Sequence, residues 1–331
     1  MEWTADVAAG DWIRERLADG TGWASTMHAV VPRGFEAYAR IFHPATRDRP
    51  VGRAWPPLPY TRHEKEWAAF LDARPEIDEE RVSWAETARS FGTTMHALAQ
   101  WQRIVGPRPI EGEDGPTDAA GWRYADPQPG LLEADLVAAA AETLVAHTTT
   151  PDDGFIAVWE GWGGVVGGMG YGPSRVLYAT SDGSAVTDPR HEEFLAHSAR
   201  DTLNDVFRKP TWQPGILSDD ISRGARLSLP NREHVLFRGG VSELADPAWV
   251  LNAPWRDRTL ESQGFAPRAE SPSLVWPDDR AWVLVTEVDY DSTVVGGTPA
   301  LIRALCADPR LEALPVREGA DLGWDADEIN E

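Results

Sequence analysis

The chain has 331 residues, 42% of them apolar and 25% charged, with 31 Lys and Arg against 53 Asp and Glu and a formal net charge of -22. Ordinary apolar content excludes a disordered chain or a collagen-like fibre, and a single cysteine excludes a disulfide framework. Charge this negative repels phosphate backbones and acidic membrane surfaces, so nucleic acid and membrane are excluded as expected partners, and a basic protein or a cation suits it better.

In chain order, the acidic start Met1-Glu2-Trp3 has neither a basic nor an apolar leader region, and no uncharged apolar run reaches spanning length. With Cys306 alone inside the apolar run 300–306, this predicts a soluble, cytoplasmic protein and a buried, inert thiol. A helix is predicted over Ala8 to Leu17, closing near Gly20. A strand is predicted from Phe35 to Phe42, where Phe35, Ala37, Ala39 and Ile41 alternate with Glu36, Tyr38, Arg40 and Phe42. Five prolines between Pro44 and Tyr60 read as a long excursion. Helices are then expected over Arg62 to Leu71, Ser83 to Phe91 and Met95 to Val105. Between Gly106 and Gly130, five prolines and five glycines erase all periodicity. This stretch is read as a connection between an N-terminal α+β region (1–105) and a C-terminal one (131–317), or else as a long surface loop inside one domain.

Leu131 to His147 is the clearest helix, with Glu133 and Asp135 in its first turn, where the helix dipole favours carboxylates. Strands are expected at Phe155 to Glu160, Arg175 to Ala179, Ala225 to Leu229, Val235 to Arg238, Ala281 to Asp289 and Leu311 to Val316. Helices are expected at His191 to Phe207 and Pro299 to Ala307, the latter with Pro at its first position. Residues 318–331 hold only acidic charges and read as a frayed tail. Strands and helices mingle without a β-α-β rhythm, so the predicted class is α+β with mixed, mainly antiparallel sheets and flanking helices.

Four groups could carry chemistry. Residues 161–172 hold seven glycines. No Gly-Lys-Ser/Thr ending and no helix follow, which favours a hairpin loop or a ligand lid over a phosphate cradle. Glu287, Asp289 and Asp291 alternate; on a regular strand their carboxylates share one face and could hold Mg²⁺ or Ca²⁺, or else they line a solvated strand end. The histidines lack zincin spacing, and Gly-x-Ser-x-Gly is absent. Sixteen tryptophans are the oddest feature. Trp159 and Trp162 flank Glu160-Gly161, and Trp276 and Trp282 bracket Arg280. These five residues are the candidate ligand platform, with core packing as the competing reading and an ion pair of Arg280 with Asp278 or Asp279 as the competing role for that arginine.

The segments Ser271-Pro272-Ser273-Leu274-Val275-Trp276-Pro277-Asp278-Asp279-Arg280-Ala281-Trp282 with Thr286-Glu287-Val288-Asp289, Gly34-Phe35-Glu36-Ala37-Tyr38-Ala39-Arg40-Ile41-Phe42-His43-Pro44, and Val158-Trp159-Glu160-Gly161 resemble a group of bacterial hypothetical proteins, largely from high-GC soil bacteria. The resemblance implies a bacterial, cytoplasmic, single-chain protein and brings no catalytic residue with it. Three functions fit the residues: an inhibitor- or immunity-like protein that binds a basic partner, a metal-assisted hydrolase, and a small-molecule sensor closed by the glycine-rich segment. No resident cofactor is expected beyond Mg²⁺ or Ca²⁺ in the second case.

Overall fold

A computed structural model describes residues 1–17, 26–106, 115–170, 210–230 and 232–330. The predicted strand at Arg175 to Ala179, the predicted helix at His191 to Phe207 and the expected stop at Gly20 lie outside the described residues. Along the chain, β1 (Glu2–Trp3) precedes α1 (Asp11–Arg16), and β2 (Ala37–Phe42) runs almost directly into β3 (Ala45–Pro50). α2 (Glu64–Asp72) and β4 (Ile77–Val82) follow. α3 (Trp84–Phe91) opens on a capping box, in which Ser83 accepts from the Glu86 amide and Glu86 reaches back to the Ser83 amide, and Gly92 at φ 73° closes it. Of the predicted helix at Met95 to Val105, only α4 (Trp101–Ile104) forms. β5 (Arg123–Ala125), α5 (Ala134–Val145), β6 (Gly154–Trp159), β7 (Gly168–Gly170) and β8 (Thr211–Gln213) come next. The remainder is α6 (Asp219–Ser222), β9 (Leu227–Leu229), β10 (Arg232–Arg238), α7 (Arg258–Ser262), β11 (Leu274–Pro277), β12 (Val283–Thr286), β13 (Ser292–Gly297), α8 (Pro299–Ala307) and β14 (Ala313–Val316).

The class is α+β, with antiparallel sheets throughout the described residues. The main sheet has the order β1-β10-β6-β11-β12-β13-β2-β14, with β9 also on β10; β4-β3-β5 form a second sheet and β7-β8 a third. The expected division at 106–130 is not where the sheets divide. β2, from the N-terminal region, lies between β13 and β14, and β5, from the supposed connection, pairs with β3. Both faces of the main sheet are covered. Ala39, Ile41, Ile156, Val158, Val235 and Phe237 face α5 and α8. Tyr38, Phe155, Leu236, Trp276 and Val294 face Trp12, Ile13, Met27 and Leu322. A third cluster of Phe42, Trp84, Trp101 and Tyr124 ties the second sheet to the end of β2. α2 is joined to the second sheet through Trp55, which stacks on Trp67 at 6.3 Å and lies under Arg123 at 3.8 Å, and the two together are the arm.

Segment 318–330 is packed down rather than frayed. The Met27 amide donates to Ala320 O at 2.9 Å, Leu322 and Ala326 are buried, and the Asp327 carboxylate is enclosed. Its acidic composition hides this, because one buried Leu, one buried Ala and one multiply bonded carboxylate suffice to fix it. Cys306 is half-buried on α8, and burial pushes its thiol upward, as expected of an unreactive group. No helix among the described residues is long and apolar enough to cross a membrane.

Candidate functional site

Four of the sequence candidates meet where β6 and β10 end beside the β12–β13 turn. His234 sits directly opposite Trp159 in the β10–β6 register, so both project from one face, and Arg232 follows on that face by the two-residue period. The Arg232 guanidinium reaches Glu287 at 3.1 Å, also binds Asp289, and lies 5.2 Å from the centre of the Trp159 ring. Trp162 meets Trp159 edge-on at 5.5 Å. Two glycines permit the approach. A Cβ on Gly161 would fall 2.1 Å from the Trp159 ring, and one on Gly130, at φ 68°, would fall 2.6 Å from Val288 Cα. Arg232 is thus the hub of the corner. Sequence reading passed over it, although a strand period carried back from Val235 would have placed it on the His234 face.

The corner is crowded, and its charged groups are paired with one another. Its cavity is about 20 Å³, lined by Arg232, His234, Ser273, Leu274, Thr286 and Glu287, which is room for about one water. Burial raises the Glu287 carboxyl, and Arg232 opposes that rise. Burial, reinforced by the Arg232 charge, pushes His234 down to about 4, so the ring is neutral at pH 7. Its Nδ1 has no partner among the described residues.

The carboxylate stripe does not form. β12 stops at Thr286, and the Tyr290 amide closes a turn on Glu287 O at 3.0 Å, so the two-residue period ends there. Glu287 and Asp289 share Arg232, while Asp291 turns to the buried Arg40 at 3.1 Å. Among the described residues, no three His, Cys, Asp or Glu side chains are grouped to hold a metal ion. Trp276 and Trp282 are core residues rather than platforms. Trp276 is 1% exposed and stacks on Phe155 at 5.3 Å, and Trp282 is wholly buried under the opposite face. Arg280, at φ 53° in the β11–β12 turn, lies 5.5 Å from the Trp12 ring, and Asp278 pairs with Arg238 instead of with it. Of the glycine-rich stretch, β7 is held against β8. Gly215 is needed there, because a Cβ would fall 2.4 Å from Val166 C.

A different surface stands out on the arm. Trp122 lies under both Arg47 and Arg49, at 4.6 and 4.2 Å, and Arg123 covers Trp55 at 3.8 Å. A groove of about 440 Å³ runs beside them, lined by Arg47, Asp48, Glu79, Arg123 and Tyr124. Each of the three arginines meets a carboxylate: Arg47 with Glu80, Arg49 with Asp78, and Arg123 with Asp48. α2 buries only Trp67 and Phe70. The arm carries Val51, Leu58, Tyr60, Leu71 and Ile77, five of the ten exposed large hydrophobic residues among those described. Exposed Glu64, Glu66, Asp72 and Glu76 lie on and just after α2. Exposed Arg53, Arg62, Lys65 and Arg74 stand among them, so the apolar groups lie in a surface of mixed charge, suited to a partly apolar protein partner.

Compared with protein-family models, curated proteins and solved structures, the chain matches none. The resemblance drawn from its motifs therefore rests on those motifs alone.

Proposed function

We propose that this chain is a binding protein, inhibitor- or immunity-like in its mode of action, that acts in the cytoplasm by engaging a basic protein. The observation that carries this reading is the arm, which holds five of the ten exposed large hydrophobic residues among those described. A net charge of -22 supports it by speeding encounter with a cationic partner and opposing nucleic acid. The candidate chemical groups lend less support to an enzyme. A metal-assisted hydrolase would need Glu287, Asp289 and Asp291 to leave their arginines, and a small-molecule sensor would need more room than the about 20 Å³ beside Arg232 and His234.

Affinity capture at low salt tests the reading. It predicts one basic partner, released at high salt and not captured by the double variant Tyr60→Ser, Leu71→Ser. Capture that survives high salt, or that is unchanged in this variant, would contradict it.

A further inference from the structure

We propose that segment 318–330 is a preshaped anchor for a basic protein segment carrying apolar side chains, with Trp324 as its central contact. The proposal rests on the binding reading above and adds a place where the partner is held.

Trp324 is 72% exposed, the highest value among the large hydrophobic residues described. An indole left in water is a large apolar area awaiting cover, and tryptophan is among the residues most often central to protein interfaces. Ile329 is 60% exposed five positions later. Between and around them stand Glu318, Asp321, Asp325 and Glu328, and residues 318–331 contain no Lys or Arg. Arg103 approaches Asp325 only at 4.0 Å. The residues that flank Trp324 along the chain are therefore acidic, with Arg103 the nearby cation, and the occupant they favour is cationic: its arginines can meet both the carboxylates and the ring face, and its apolar side chains can cover the ring.

The segment is also held in shape before any partner arrives. Asp327 accepts hydrogen bonds from His96 Nε2 at 2.8 Å, the Gln100 amide at 3.1 Å, the Ile329 amide at 3.1 Å, and the Asn330 amide and side chain at 3.0 and 2.9 Å. The Asn330 side chain pairs with the Thr94 backbone in both directions, at 2.8 and 2.9 Å. Leu322 and Ala326 are buried on either side of Trp324. Exposed apolar groups on a chain already ordered lose little further entropy on binding. A second copy of this chain is a poorer occupant, because it would bring the same negative charge.

The test uses two labelled peptides of equal length and charge, one of alternating Arg and Leu and one of alternating Arg and Ser, with anisotropy read at low salt. Wild-type chain should prefer the Arg-Leu peptide. Trp324→Ala should weaken that binding at least tenfold and weaken Arg-Ser binding far less, and Trp324→Phe should recover most of the loss. If Trp324→Ala binds as wild type while Tyr60→Ser with Leu71→Ser does not, the anchor is wrong and the binding reading stands. If wild type binds neither peptide, the binding reading fails and the anchor with it. A dimer that Trp324→Ala dissolves would assign the ring to a second copy and overturn the basic-partner assignment.

Discussion

Asp327 offers the most quantitative perturbation. Its side chain is fully enclosed, and burial alone would raise its carboxyl. The hydrogen bonds from Asn330, Gln100 and His96 outweigh burial and hold it at about 2, against an ordinary value of 3.8. At about 1.4 kcal/mol per unit, the ionised carboxylate contributes about 2 kcal/mol to the docked state. A depressed carboxylate stabilises above its unfolded value and loses that contribution as pH falls. The contribution is therefore whole above about pH 5 and decays towards pH 2. Asp327→Ala removes it and strands buried donors such as the Gln100 amide, at about 1–3 kcal/mol each; these are the same hydrogen bonds that hold the carboxyl down, so the two costs overlap and the local cost is about 2–4 kcal/mol. Native-state hydrogen exchange reads this directly. The amides of Gln100, Ile329 and Asn330 should lose protection by about 30- to 700-fold, while amides of β6 and β12 change far less. Protection of those three amides equal to wild type would refute the claim that the carboxylate fastens the segment.

Three further outcomes are expected. Arg40 is 1% exposed and bonds Ser292 Oγ, the Ala97 and Ala99 carbonyls and Asp291, so Arg40→Ala leaves a buried carboxylate uncompensated and should cost about 3–5 kcal/mol in chemical denaturation; a loss below about 1 kcal/mol would show that the network is slack. Burial holds both His43 and His234 at about 4, below the ordinary 6.5. Each is neutral when folded and charges more readily when unfolded, so stability is fully present above about pH 6.5 and falls by about 3 kcal/mol per histidine towards pH 4; a stability flat across that window would contradict the burial. Millimolar Mg²⁺ or Ca²⁺ should leave the thermal midpoint unchanged, and a rise of several degrees that Asp289→Asn abolishes would return the β12–β13 turn to a metal reading.

The legible elements are those whose local pattern matches their surroundings. α5 carries an apolar stripe and an acidic first turn, and α8 opens on Pro299, so both could be read directly, α8 with its ends and α5 with two or three residues too many at each end. β2 shows its alternation, although both of its faces turn out to be buried. β13 hides for that reason. Ser-Thr-Val-Val-Gly-Gly is covered on both sides and has no polar face to alternate with. β4 hides in the opposite way, because Ile77-Asp78-Glu79-Glu80-Arg81-Val82 is apolar only at its ends and is held by pairing with β3. At the corner, Trp159, Trp162, Glu287 and Asp289 could be singled out by residue type, but Arg232, the shared partner of Trp159, Glu287 and Asp289, comes from a separate strand. Asp291 could not be separated from its neighbours, since nothing local marks the turn that sends it to Arg40. The docking of 318–330 depends on His96 and Gln100, more than two hundred residues earlier, and no local composition could show it.

The salt dependence of affinity for the captured partner tests the central claim most directly. Dissociation constants for wild type and for Tyr60→Ser with Leu71→Ser would be measured from about 50 to 500 mM salt, across which exposed charges become strongly screened. The account predicts a basic partner, wild-type affinity falling at least tenfold over that range, and binding by the variant weakened at every salt concentration. A neutral or acidic partner, an affinity independent of salt, or a variant that binds as tightly as wild type would contradict it.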